Sequence, residues 1–192
     1  MARSGDGFVL ASASPRRLDL LAQIGLTPDA VVPADINEDP IPGELPGPHA
    51  ARLAAEKAQA VHRDGQVVLA ADTVVGVGRR ILPKTEEREA ADACLRLMSG
   101  RAHRVFTGVT VIDADGVARH RLSETRLKMK RLSDEEIRDY LDGGEWRGKA
   151  GGYGIQGRAG AFILHLSGSY TGVVGLPVYE TRNLLLASGV RA

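Results

Sequence analysis

Cysteine is nearly absent: Cys94 stands alone among 192 residues. No intramolecular disulfide can form, and a reducing cytoplasm suits such a chain. Charge of one sign is not in excess either, with 25 Lys and Arg against 24 Asp and Glu. That balance argues against a nucleic-acid polymer as partner. No apolar run is long enough to cross a bilayer, so no membrane partner is expected. Residues 1–6 lack an apolar h-region, so no signal peptide is expected. The histidines (His49, His62, His103, His120 and His165) show no H-x-x-x-H or H-E-x-x-H spacing, which disfavours zinc. A Walker phosphate loop, a G-x-S-x-G elbow and internal repeats are all missing. What is present is a globular composition, 43% hydrophobic and 26% charged. Its length suffices for one sizeable domain or two small lobes around a cleft.

The organising stretch is Leu10-Ala11-Ser12-Ala13-Ser14-Pro15-Arg16-Arg17. Residues 7–10 read as a short buried strand. Downstream, Leu18, Leu20, Leu21 and Ile24 recur at helical spacing. Ser14 suits an N-cap, and Pro15 suits the first helical position, where its missing N–H costs nothing. Helix-end N–H groups, two hydroxyls and two guanidiniums then converge, which is chemistry for an anion. The plainer alternative is a capped helix with solvated Arg16 and Arg17.

A proline-rich, acidic connection follows over 33–48, long enough to suggest a functional loop. An alanine-rich helix is expected over 49–63, and a buried strand over 66–71 that 74–77 can extend. Helices are expected over 86–98 and from the Ser133-Asp134-Glu135-Glu136 capping box to Leu141. Between them, 103–112 and 117–130 read as paired strands around a turn. A glycine-rich segment (148–160), a strand (161–166) and a helix opening at Pro177 complete the chain. Cys94 falls on an apolar helix face and reads as core. Alternating strands and helices, with one hairpin, predict an α/β domain spanning 1–192. Its expected sheet is mixed, mostly parallel and twisted, in two lobes with a central cleft.

Asp72 ends the most apolar run, where ligands of open α/β sheets bind. A carboxylate there can hold Mg²⁺, take a proton from water, or bond its own turn backbone. Glu38 could be a second metal ligand, since Mg²⁺ takes one or two carboxylates plus phosphate oxygens. Alternatively it is solvated surface. Lys57 and Lys84 could each neutralise a phosphate or lie in solvent. In Tyr153-Gly154-Ile155-Gln156-Gly157, glycines permit close approach of a ligand, and the Gln156 amide both donates and accepts, which suits a nucleobase edge.

Together these residues resemble the Maf family of nucleotide pyrophosphatases, in order and over nearly the whole chain. Ser12 to Arg17 resembles its S-x-S-P-R-R opening, Asn37-Glu38 its acidic loop, and Ala54-Ala55-Glu56-Lys57-Ala58 its A-x-x-K-A helix. Ala71-Asp72-Thr73, Ser99-Gly100-Arg101-Ala102-His103, Thr107-Gly108-Val109, the Lys149 to Gly157 segment, Gly168-Ser169-Tyr170 and Gly175-Leu176-Pro177 continue the match. One departure is Pro83-Lys84-Thr85, where the family usually reads G-K-P. The resemblance implies hydrolysis of a nucleoside triphosphate to the monophosphate and pyrophosphate. It also implies a divalent metal (Mg²⁺, with Mn²⁺ as an option), a fold like that of inosine triphosphate pyrophosphatase, and a homodimer. Asp72 matches the proton acceptor. Ser14, Arg16, Arg17, Glu38, Lys57 and Lys84 match the polar set that binds triphosphate and metal, with Ser12 in the same signature. The Tyr-Gly-Ile-Gln-Gly form with Arg16 and Thr73 resembles the branch acting on dTTP and UTP. Removal of unwanted nucleotides or arrest of cell division is the cellular task so implied. Two rival readings are a nucleotide-sensing protein of septum formation and a serine hydrolase using Ser12 or Ser14.

Overall fold

A computed structural model describes residues 7–191; the reading of residues 1–6 lies outside the described residues. The elements run β1 (Phe8–Leu10), α1 (Pro15–Gln23), β2 (Ala30–Val31), α2 (Pro46–Val61), β3 (Val67–Val77), β4 (Arg80–Leu82), β5 (Lys84–Thr85) and α3 (Arg88–Met98). They continue with β6 (Ala102–Ile112), β7 (Ala118–Met129), α4 (Asp134–Asp142), β8 (Lys149–Ala150), a 3₁₀ turn (Arg158–Phe162), β9 (Ile163–Ser167), α5 (Tyr170–Val174) and α6 (Val178–Ala187).

The main sheet has the order β2-β1-β3-β6-β7-β9, with β4 paired to β3 and a separate β5-β8 ribbon. The α/β class and the mixed sheet agree with expectation. Parallel pairing is confined to β2-β1-β3. The β3-β4, β3-β6, β6-β7 and β7-β9 pairings are antiparallel. The parallel share is therefore smaller than the alternation of elements suggested. The physical reason is the β6-β7 hairpin: a tight turn at Asp113 to Gly116 can join only antiparallel strands.

β3 is the spine. Alternation sends Leu69 and Ala71 into an apolar cluster with α1 and α6, and Val68 and Ala70 into a second cluster with α2. Val75, farther along the strand, enters a third cluster with α3, α4 and Tyr153. Two packed lobes thus share one strand, and the cleft lies between them. The fully buried Leu69 alone contributes about 1.5–3 kcal/mol relative to exposure. Cys94 is buried in the third cluster, as expected. At α4 the Ser133 hydroxyl accepts from the Glu136 N–H at 3.1 Å, while Glu136 Oε2 accepts from the Ser133 N–H at 3.0 Å. No helix among the described residues is long and apolar enough to cross a membrane.

α2 lies closely against β6 because residue 108 is glycine. A Cβ there would stand 2.4 Å from the Ala50 carbonyl oxygen and 2.9 Å from the Ala51 Cα, both backbone atoms that cannot rotate away. Gly108→Ala must push α2 outward, at a cost of about 1–3 kcal/mol or more. The expected result is a lowered thermal midpoint together with weaker activity, since α2 carries Lys57. An unchanged midpoint would mean that this contact does not set the helix position.

Candidate active site

β1 ends at Leu10, level with Leu69 of β3. The chain then leaves the sheet as Ala11 to Ser14, while β3 runs on. Asp72 therefore lies beyond the end of its parallel neighbour yet inside a continuous strand, opposite Gly108 of β6. The sequence reading put Asp72 at a strand end. Its antiparallel partner β6 instead carries the ladder through residues 72 and 73.

A cavity of about 450 Å³ opens at this point, between the lobes. All ten expected site residues line it: Ser12, Ser14, Arg16, Arg17, Glu38, Lys57, Asp72, Thr73, Lys84 and Gln156. They come from the β1-α1 loop, the first turn of α1, the proline-rich loop, α2, β3, β5 and the segment after β8. Arg147, which the sequence does not single out, also lines it, as do Lys149 and Tyr153 of the Lys149 to Gly157 segment, to which the sequence assigns no individual role. β8 pairs with β5, placing Ala150 opposite Lys84 and Lys149 opposite Thr85. That long-range pairing brings Lys149 to the site; in the sequence the residue stands out only as the start of the Lys149 to Gly157 segment. Thr85 is fully buried, and its hydroxyl donates to the Trp146 carbonyl at 2.9 Å. It secures the segment that carries Arg147 and Lys149.

The centre is a charged relay. Lys57 Nζ lies 2.6 Å from Asp72 Oδ1 and 2.7 Å from Glu38 Oε1, and Lys84 pairs with the other Glu38 oxygen. Lys57 and Asp72 are buried, with side chains 8% and 3% exposed, so each charge depends on the other. Burial alone would raise the Glu38 carboxyl, but hydrogen bonds from Lys57 and Lys84 outweigh it and hold it down at about 2. A group depressed below its ordinary value of 4.5 adds stability above that value and loses it as pH falls toward about 2. In chelator-containing buffer, the thermal midpoint of the wild type should exceed that of Glu38→Gln at neutral pH. The gap should close between pH 4.5 and 2; a gap that stays constant would show that the two lysines do not act on this carboxyl.

The loop bearing Glu38 is itself tied to α2. Arg52 donates to Glu44 from Nε at 2.8 Å and to the Asp39 carbonyl from Nη2 at 3.1 Å. Glu44 also accepts from the Ile41 N–H at 3.0 Å and contacts His49 Nδ1 at 2.8 Å. The hydrogen bond from Arg52, with burial opposing it, holds the Glu44 carboxyl down at about 2. This anchoring explains how an acid on an irregular loop keeps a defined place.

At the other wall, Ser14 occupies the N-cap position of α1 with extended backbone, but its hydroxyl makes no cap bond. Ser12 Oγ accepts instead, from the Ser14 N–H at 3.2 Å and from Arg17 Nη1 at 2.8 Å. Arg17 Nε donates to the Gly175 carbonyl at 2.8 Å. Gly175 has φ of 140°, a conformation that glycine reaches without strain. Burial lowers the Arg17 pKa, and the nearby Asp72 charge opposes that effect. Arg17 is thus fixed by neutral acceptors and keeps its charge for the cavity. Thr73 faces Thr107 across the strands at 3.1 Å; Thr107 donates to the Gly172 carbonyl at 2.7 Å, so the Thr73 hydroxyl is the donor between them.

Six cations (Arg16, Arg17, Lys57, Lys84, Arg147 and Lys149) thus line a cavity that holds two carboxylates, Glu38 and Asp72. That excess suits a polyanion. No histidine lines it, so a serine–histidine pair has no support here. Among the described residues no cluster of three or more His, Cys, Asp or Glu could hold a metal. The Glu38/Asp72 oxygen pair still fits Mg²⁺, which keeps several waters and takes phosphate oxygens as its remaining ligands.

Residues 7–188 match the family model described as Maf-like protein. A protein from Maricaulis maris (strain MCS10) named dTTP/UTP pyrophosphatase is 63% identical, over 95% of this chain and 88% of its own. One of the same name from Caulobacter vibrioides (strain ATCC 19089 / CIP 103742 / CB 15) is 60% identical, over 98% of each. Among solved structures, a HAM1 protein from Coxiella burnetii aligns with a TM-score of 0.50 at 14% identity, over 94% of this chain and 98% of that one, a likeness of fold. Identity of this order over nearly the full length establishes kinship, and the chain belongs to the Maf-like protein family.

Proposed function

We propose that this chain, acting as one unit, hydrolyses nucleoside triphosphates, dTTP and UTP foremost, to the monophosphate and pyrophosphate. The observation that carries the reading is a single cavity with an excess of cations around two acids. The relatives named dTTP/UTP pyrophosphatase support the choice of substrate.

In this reading, Arg16 and Arg17 hold the triphosphate with their planar donor forks, aided by the Ser12 and Ser14 hydroxyls. Lys57 and Lys84 offset charge that grows on the leaving pyrophosphate. Asp72 accepts the proton of a water whose oxygen attacks the α-phosphorus. The bond from that phosphorus to the bridging oxygen breaks, and pyrophosphate carries the electron pair away. Positioning and charge stabilisation supply most of the acceleration in such transfers. Glu38 and Asp72 would hold a divalent cation, Mg²⁺ or Mn²⁺, which supplies further neutralisation of phosphate oxygens. Thr73 and Gln156 face the base and act on selectivity more than on rate. Cytoplasmic residence, a homodimer, and a task in nucleotide-pool cleansing or septum control complete the proposal.

The test is pyrophosphate release from a panel of nucleoside triphosphates, with Mg²⁺ and with chelator. Mg²⁺-dependent release from dTTP and UTP is expected. Tight nucleotide binding without any turnover would replace the hydrolase reading with that of a sensor.

A further inference from the structure

Gln156 alone leaves the pyrimidine ambiguous. A side-chain amide presents a donor beside an acceptor and can rotate to reverse their order. It can pair with N3–H and a carbonyl of uracil or thymine, or with N3 and the amino group of cytosine. A neighbour that can only donate would remove the ambiguity.

Lys149 is such a neighbour. Its ammonium has three donors and no acceptor. A Cβ built on Gly154 would stand 2.8 Å from Lys149 Cε, 3.0 Å from its Cδ and 3.3 Å from Gln156 Oε1. The lysine stem and the glutamine amide thus converge on one spot, which stays open because residue 154 is glycine. The ammonium is held by the Glu145 backbone carbonyl and makes no ion pair among the described residues. Burial lowers its pKa, the facing Arg16 charge adds to that, and Glu145 opposes it. Asp72 and Glu38 are already engaged with Lys57. A half-buried donor with no carboxylate of its own, beside the amide assigned to the base, suits a neutral carbonyl oxygen.

We propose that Lys149 is a further specificity-determining residue: its ammonium donates to the 4-carbonyl oxygen of uracil or thymine and selects against cytosine, whose 4-amino group presents only N–H there. The inference rests on the nucleotide hydrolysis proposed above.

The experiment compares kcat/KM for UTP, dTTP and CTP in the wild type, Lys149→Met and Gly154→Ala, with the thermal midpoint of each protein recorded. The wild type should favour UTP over CTP. Lys149→Met should lose roughly 10- to 100-fold on UTP and dTTP, the worth of one hydrogen bond from a charged group, and far less on CTP. Gly154→Ala keeps the charge but displaces the end of a flexible stem, so it should shift the ratio the same way in a folded protein. Equal losses on all three nucleotides would reveal a phosphate contact and overturn the assignment, as would an unchanged ratio in either folded variant. A wild type that releases pyrophosphate from no nucleotide would instead overturn the hydrolysis reading itself.

Discussion

Asp72→Asn is expected to lower kcat for pyrophosphate release by about 10²- to 10⁴-fold, the usual worth of a positioned general base. Nucleotide affinity should stay within a few-fold of the wild type. The asymmetry follows from geometry. The substitution keeps the side-chain volume at a 2%-exposed position on β3, and Asn still offers Oδ1 to Lys57. Lys57 also keeps Glu38 as its counter-charge at 2.7 Å, so no buried cation is stranded. The stability cost should therefore be about 1–3 kcal/mol, the range for a weakened hydrogen bond to a charged group. Arg17 is held by Ser12 and Gly175 rather than by a bond to Asp72, so the polyanion keeps its anchors. Steady-state kinetics with equilibrium nucleotide binding makes the test. A variant with near-wild-type kcat would remove Asp72 from the chemistry, and one that bound no nucleotide would make its role structural.

Lys57→Met should have the largest effect on stability. Methionine matches the lysine stem in length but leaves two carboxylates with no ammonium between them. Asp72 is buried, and breaking a buried pair by removing one partner costs about 3–5 kcal/mol. The exposed Lys84 still pairs with Glu38 but makes no ion pair with Asp72. Two further signs identify the cause. Acidification should restore part of the lost stability in the variant, because protonating one carboxylate relieves the repulsion; native protons bound in excess of unfolded ones make stability rise as pH falls. Added Mg²⁺ should raise the variant's thermal midpoint more than the wild type's, since a cation held by Glu38 and Asp72 replaces the missing charge. A midpoint insensitive to both pH and Mg²⁺ would show that the loss comes from packing alone, and would count against this acid pair as the metal-holding residues.

Much of the fold was legible in local pattern. The capping box at Ser133 announced α4 and is present in both of its hydrogen bonds. The Asp113 to Gly116 turn announced the β6-β7 hairpin. Boundaries moved where proline intervened: α2 starts at Pro46 rather than His49, because proline at the first helical position costs nothing. The extension of β3 over 74–77 was open in the sequence, because Asp72 and Thr73 interrupt the apolar run; pairing with β6 carries the strand through both to Val77. Ser14 took the N-cap position without making the cap bond: the Arg17 N–H donates to the Ser14 backbone carbonyl at 3.2 Å rather than to its hydroxyl.

Residue types and local spacing were enough to state that an anion would meet a helix start bearing two arginines, with acids and lysines elsewhere to serve it. Folding alone could decide that Glu38, Lys57, Asp72 and Lys84 form one connected set, that Arg17 is braced by Ser12 and Gly175, and that Lys149 stands beside Gln156. The reason is range. Caps, turns and hydrophobic periods are written within a few residues, whereas contacts spanning 34 residues between Thr73 and Thr107, 46 between Glu38 and Lys84, or 158 between Arg17 and Gly175 exist only once β3, β6 and the β5-β8 ribbon have paired.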